Sequence, residues 1–232
     1  MTSENSTIQT NNLIFKAGTS LSTELILDTA LTLAEEVGSL EKLSLRKIGK
    51  ALNADPTAIY RYFRSKNELL QAMADRIYSR MLPAIDVTDE DWATQLTEIA
   101  SSVRSVYLVF PTIGLEVTNL SESDARAASY VIDAIYRALE HSGLPERQIP
   151  VFGEVLLSMA IGVGTGENLF GSNPDRSKAL VREKQKKLDP AQYPNLTRHL
   201  GSPIPSNEEV FDLAVQMLIE KISAVASASS KS

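Results

Sequence analysis

Apolar residues recur at three- and four-residue spacings along most of the chain, and polar capping residues cut that pattern into helices. The first stretch carries Ile26, Leu27, Ala30, Leu31, Ala34 and Val37 on one face. Ser22 suits its N-cap, Glu24 its first turn, and Gly38 its left-handed stop. A second helix follows Ser44, with Leu45, Ile48 and Leu52 inward, and Asn53 takes the position that wants a left-handed residue. Asp55-Pro56 then caps and opens a third helix, short and ending near Phe63. Ser65-x-x-Glu68 is a capping box that opens a fourth.

The larger remainder is also helical in pattern. Helices are predicted from Asp91 to Phe110, Ser121 to His141, Pro150 to about Phe170, and from the capping box Ser206-x-x-Glu209 to about Ala226. Ser172 to Ser206 reads as loop with helical pieces around Lys178 to Lys187 and Ala191 to Leu200. No segment alternates with period two, so the fold class is all-α. Three parts follow: a polar arm at 1–19, expected to be disordered; a small helical domain at 20–82; and a larger one at 83–232. The boundary falls inside or just after the fourth helix.

Charge changes the picture of this outline. The net charge of −6 argues against a polyanionic partner, but its distribution does not. Between Ser44 and Lys66 lie six basic residues (Arg46, Lys47, Lys50, Arg61, Arg64 and Lys66) against one acid, Asp55, whereas Pro83 to the end carries 13 basic and 20 acidic residues. A basic segment on an acidic body suits a nucleic-acid reader whose other half has a different task. No cysteine is present, which excludes disulfides and thiolate metal sites and fits a reducing cytoplasm. The N-terminus lacks the basic–apolar–small succession of a signal peptide. Apolar runs such as Val155 to Val163 fall short of the roughly 20 residues that span a membrane. The expectation is therefore a soluble, cytoplasmic protein.

Two short helices joined by Asn53-Ala54-Asp55 make a helix-turn-helix, whose second helix would enter a DNA major groove. Ile59 and Phe63 anchor that helix. Thr57, Ala58, Arg61 and Tyr62 point elsewhere, with Tyr60 at the edge. Arg61 can reach guanine bidentately, and Thr57 and Ala58 can meet a thymine methyl. Leu45 to Ala54, followed by Thr57 to Leu70 with its Tyr-x-x-Phe ending and Lys-x-x-Leu-Leu entry to the fourth helix, resembles the DNA-binding domain of the tetracycline-repressor (TetR) family from Leu21 to about Met81. Asn53 stands where that family commonly has Gly, and Gly49 where it has Ala. The resemblance implies a homodimer on double-stranded operator DNA. It further implies phosphate contacts from Ser44, Tyr60 and Lys66, and approach to base edges by Arg46, Thr57, Arg61 and Tyr62.

The C-terminal half is similar, more weakly, to the same branch, in which the last two long helices pair into a dimer bundle. Phe211, Val215, Leu218, Ile222 and Val225 make a heptad-like seam, and Val151, Val155, Met159 and Val163 a second stripe. The dimer-interface candidates are Val151, Val155, Phe211, Val215, Leu218 and Ile222. Effector candidates, for a small lipophilic or aromatic molecule, are Tyr107, Phe110, Tyr136, Met159, Glu167 and Asn168. The family's tetracycline binders place a histidine on a magnesium–drug complex. The equivalent stretch here, Pro111 to Asn119, has none, so neither tetracycline nor a metal is expected. His141 and His199 lack partners at metal-ligand spacing. Gly162-x-Gly164-x-Gly166 follows a helical run rather than a strand, which favours close helix packing over a cofactor loop. No cofactor is expected, and no nucleophile–base pair stands out, so the chain is not read as an enzyme. The leading expectation is a repressor released by a small molecule. Control by a protein partner, or by no effector, is the alternative; a helical interaction module or enzyme is a distant third.

Overall fold

The computed structural model describes residues 21–81, 91–110, 114, 116, 126–168 and 174–229, except for the side chains at 126–128, 167, 168, 174 and 175. Among these residues there is no strand. The helices are α1 (Thr23–Val37), α2 (Leu45–Ala51), α3 (Pro56–Tyr60), α4 (Lys66–Met81), α5 (Trp92–Val109), α6 (Arg126–His141), α7 (Ile149–Asn168), α8 (Pro174–Gln185), α9 (Pro194–His199) and α10 (Asn207–Ser229). A 3-10 turn, Glu146–Gln148, precedes α7. The expected polar arm at 1–19, the segment 82–90 where a domain boundary was expected, and the expected start of a helix at Ser121 lie outside the described residues.

Local signals set the helix ends. Ser22 Oγ accepts from the Leu25 amide, and Gly38 closes α1 at φ 68°. Ser44 Oγ accepts from the Lys47 amide. Asn53 is left-handed at φ 50°, the positive-φ residue other than glycine among the described residues. α3 ends at Tyr60, earlier than the pattern suggests. The Arg61 and Tyr62 amides bond to Ala58 and Ile59, three residues back, so the last turn tightens and stops. The stretch that reads as loop holds two true helices, α8 and α9.

α1 to α3 pack around Ile26, Ala30, Leu31, Ile48, Ile59 and Phe63, all buried. α4 belongs to both halves: Leu69 and Met73 close that small core, and Ile77 and Met81 continue into the body against α5 and α6. One apolar cluster therefore runs from Ile26 to Ile222. In the body, α5 and α7 lie closest together. A Cβ on Gly164 would stand 2.8 Å from the Arg104 carbonyl oxygen and 3.0 Å from Tyr107 Cβ, so only glycine permits the approach. Gly153 gives way to the Tyr136 ring in the same manner, at 2.9 Å.

α10 lies on α7 and touches α5. Its buried side is Phe211, Val215, Leu218 and Ile222, with the Arg104 guanidinium 4.6 Å from the centre of the Phe211 ring. This corrects the expected dimer seam. Those four residues fill the protomer's own core, each burial worth roughly 1.5–3 kcal/mol. The apolar residues that α10 leaves outside are Val210, Leu213 (57 % exposed) and Met217 (61 % exposed). On α7, Val151 and Val155 are exposed. The helical stretch Glu146–Gly166 is long and apolar enough to cross a membrane by length and composition, contrary to the run-length estimate. That stretch reaches beyond Val155 to Val163 on both sides and carries Glu146, Arg147 and Glu154 as its charged residues.

Candidate nucleic-acid interface and its link to the body

The helix-turn-helix is held rigidly from inside and by its caps. The Ala54 amide donates to the Gly49 carbonyl at 2.9 Å, closing the turn. At Gly49 a Cβ would meet Ala54 O at 3.3 Å and Pro56 Cα at 3.4 Å. An alanine there gains about 1 kcal/mol in helix propensity but crowds the turn by a few tenths of an ångström. Asp55 accepts from the Thr57 amide at 2.7 Å and from the Thr57 hydroxyl at 2.6 Å. Those two hydrogen bonds, the hydroxyl's being the stronger influence, hold the Asp55 carboxyl below its usual pKa. Ser65 Oγ accepts from the Glu68 amide, and Glu68 reaches back to the Arg64 amide at 2.7 Å, a capping box displaced by one residue.

On this frame Arg46, Thr57, Tyr60 and Arg61 are exposed, and Ala58 is half-buried. Tyr60 is 51 % exposed, which separates it from the core residues Ile59 and Phe63 on either side. Arg46, Lys50, Arg61 and Arg64 make no side-chain ion pair or hydrogen bond among the described residues, so four cations stand ready for an anionic partner. Three expected contact residues also hold structure. Ser44 caps α2. Lys66 Nζ donates to the Glu41 carbonyl at 2.7 Å, with two further donors left. Tyr62 is half-buried, and its hydroxyl donates to the Leu21 carbonyl, which makes it a strut between the chain entering α1 and the end of α3.

The fourth helix is the expected link to the body, but the side-chain contacts that tie reader and body together have no counterpart in the sequence reading. Asp28 on α1 accepts from two arginines of α4, Arg76 at 3.1 Å and Arg80 at 2.8 Å. Arg80 also lies 5.3 Å from the centre of the Phe110 ring at the end of α5. Glu116 accepts from the Leu40 amide at 2.9 Å, tying the loop after α1 to the C-terminal half. The signal available in the sequence was the spacing of Arg76 and Arg80, one helical turn apart on one face. Nothing pointed to Asp28 or Glu116 as their counterparts.

The effector candidates separate into three groups. Tyr107 and Phe110 are buried on α5, Tyr107 against Gly114 and Gly164. Tyr136 and Met159 line an open groove on α6 and α7 together with Val151 and Val155, so effector and dimer candidates share a surface. The side chains of Glu167 and Asn168, and most of Pro111 to Asn119, lie outside the described residues. No group of three His, Asp or Glu side chains that could hold a metal occurs among the described residues.

Comparison with known proteins agrees with this two-part design. Residues 26–73 match the model described as bacterial regulatory proteins, tetR family, and residues 83–226 match the tetracyclin repressor-like C-terminal domain. An HTH-type transcriptional repressor of Mycobacterium tuberculosis is 27 % identical over 223 residues, covering 91 % of this chain and 84 % of the relative. The fold is similar to that of SCO7222, a TetR protein of Streptomyces coelicolor, at 22 % identity and a TM-score of 0.69, covering 89 % of this chain and 100 % of that one. It is also similar to that of S. coelicolor ActR in complex with actinorhodin, at 18 % identity and a TM-score of 0.68, covering 90 % and 99 %. The chain therefore belongs to the TetR family of transcriptional regulators, with a helix-turn-helix reader at its N-terminal end and a tetracycline-repressor-like helical domain behind it.

Proposed function

We propose that the chain is a homodimeric repressor that holds a pseudo-palindromic operator and releases it when a small lipophilic or aromatic effector binds the C-terminal domain. The observation that carries this reading is the set of exposed cations free of any salt bridge among the described residues, Arg46 and Arg61 foremost, on a rigidly capped helix-turn-helix that α4 joins to the body. The bacterial relative named a repressor, and ActR with its bound actinorhodin, support it. Arg61 and Arg46 read base edges with Thr57 and Ala58. Tyr60, Ser44 and Lys66 set the register on phosphates, and Tyr62 braces the reading helix from behind.

A second copy covers the apolar surface left by one protomer. Val151 and Val155 on α7, with Leu213 and Met217 on α10, form the self-complementary face of a twofold dimer. Two reading helices related by that axis require half-sites about one helical turn apart. The effector acts near Phe110, with Tyr107, Tyr136, Met159, Glu167 and Asn168 as further candidates. Phe110 is the ring beneath Arg80, and Arg80 pairs with Asp28, so displacement at the ring reaches α1 in two contacts. Moving such an equilibrium from 1:99 to 99:1 takes an affinity difference of about 10⁴ between the two states. The test is operator release: duplexes selected by the chain from a random pool are titrated with lipophilic aromatic compounds. The proposal expects at least one compound to raise the DNA dissociation constant severalfold while raising the melting temperature of the free protein. Sequence-specific binding that no small molecule relieves would favour control by a protein partner.

A further inference from the structure

The segment between α7 and α10 differs from the rest of the body in charge. Pro174 to Leu200 carries seven basic and three acidic residues, whereas the remainder of the C-terminal half, from Pro83 on, carries six and seventeen. α8 and α9 fold back on one another across Asp189-Pro190. The Ala191 amide donates to Asp189 Oδ1 at 2.9 Å, and the Gln192 and Tyr193 amides donate to the Asp189 carbonyl at 3.1 Å. Between the two helices and the chain leading into α10 lies a cavity of about 210 Å³. Val181, Leu196, Leu200 and Ile204 give it an apolar floor; Lys178, Arg182 and His199 line its rim, and no carboxylate lines it.

Both rim cations are fixed by neutral acceptors. Arg182 Nη2 donates to the His199 carbonyl at 2.6 Å. Lys178 Nζ donates to Asn207 Oδ1 and to the Pro205 carbonyl. Neither has a carboxylate partner among the described residues. The two charges are thus held in place without being neutralised, on a half-buried rim beside apolar side chains. Each keeps spare donors, since a guanidinium has five and an ammonium three. A carboxylate at that rim gains charge-assisted hydrogen bonds to groups already positioned, and its carbon skeleton covers the floor.

The geometry points to a ligand site between α8 and α9 that takes a small amphipathic carboxylate, its ring against Val181, Leu196, Leu200 and Ile204 and its oxygens against Lys178 and Arg182. The cavity is smaller than the roughly 300–1,000 Å³ of drug-sized sites, which fits one or two fused rings. The site shares no residue with the effector candidates around Phe110 and Met159, so it stands or falls independently of the release mechanism above.

Calorimetric titration of the full chain with 2-naphthoate and its neutral isostere 2-naphthamide tests the assignment. The acid should bind saturably, one per chain, and the amide at least about tenfold more weakly, because the rim then loses its charged partner. Raising the salt concentration to about 0.5 M should weaken the acid alone. Arg182→Gln should reduce naphthoate binding about tenfold. Because Arg182 also braces the hairpin, Ile204→Trp provides the second probe: it fills the cavity, leaves both cations and their bonds in place, and should abolish binding. Equal binding of acid and amide, no saturable binding of either (the result expected if a second copy of the chain fills the groove), or undiminished binding by Ile204→Trp would each overturn the assignment.

Discussion

Gly162-x-Gly164-x-Gly166 on α7 allows the same substitution to be made twice in one helix with opposite expected signs. A methyl at Gly164 would sit 2.8 Å from a backbone oxygen, Arg104 O, and 3.0 Å from Tyr107 Cβ. Neither atom lies at the end of a flexible side chain, so α5 and α7 must separate along their closest contact. Overpacking of this kind costs roughly 1–3 kcal/mol, and the backbone partner puts Gly164→Ala at the upper end. Helix propensity returns about 1 kcal/mol, leaving a net loss of about 2 kcal/mol. At Gly162 nothing lies within 4 Å in the protomer, so Gly162→Ala collects the propensity gain alone, about 0.5–1 kcal/mol. For a chain of this size the first change should lower the melting temperature by about 4–8 °C and the second raise it by a few degrees. Urea unfolding followed by circular dichroism measures both. Of the three glycines, Gly164 alone meets a close neighbour within the protomer, and a Gly164→Ala variant as stable as wild type would refute its close-packing role.

Three further outcomes are expected. Val155→Asp and Met217→Asp place a carboxylate on the face assigned to the partner and should yield folded monomers by light scattering, whereas Leu218→Asp buries an unpaired charge inside the protomer, costs several kcal/mol and should unfold it; a folded dimer from Met217→Asp would move the interface elsewhere. The Asp55 carboxyl is held below its usual pKa by Thr57, so its contribution is present above that ordinary value of 3.8 and is lost as pH falls through the lower folded-state value. Stability should therefore fall as the pH drops through and below that ordinary value, and Asp55→Asn, which keeps a cap without the titration, should flatten that slope; an unchanged slope would remove Asp55 from the account. Arg80→Ala removes an ion pair that is partly solvent-exposed and should cost under about 1 kcal/mol of stability, yet shift the effector concentration for half-release severalfold; identical release curves would detach Arg80 from the coupling.

Much of the fold was legible because its signals are local. Ser22, Ser44, Asp55 and the two capping boxes each lie within four residues of the amides they satisfy, and Asn53 announces its left-handed turn by residue type. The end of α3 is not legible in the sequence, because the tightening at Arg61 and Tyr62 leaves no mark in the apolar pattern, Ile59 and Phe63 being anchors in either case. On α10 the apolar periodicity marks a buried face without identifying the neighbour it meets. Phe211, Val215 and Leu218 face inward and Val210, Leu213 and Met217 outward, and a helix that is apolar nearly all round does not say which face meets its own chain. The tie between Glu116 and the Leu40 amide spans 76 residues, and the role of Tyr62 depends on Leu21, 41 residues away. Contacts of that kind are set by tertiary packing and have no local signature.

The most direct test is DNA selection followed by substitution of Arg61. The purified chain is equilibrated with random duplexes, the bound sequences are read, and the dissociation constant for the best site is measured for wild type, Arg61→Ala and Lys66→Ala at several salt concentrations. The account predicts an inverted repeat with half-sites about one helical turn apart. Arg61→Ala should lose roughly 1–3 kcal/mol and its preference at one base pair in each half-site, whereas Lys66→Ala should weaken all sequences alike and lower the salt slope. Selection of no symmetric motif, or an Arg61→Ala variant that keeps its base preference and changes only the salt slope, would contradict it.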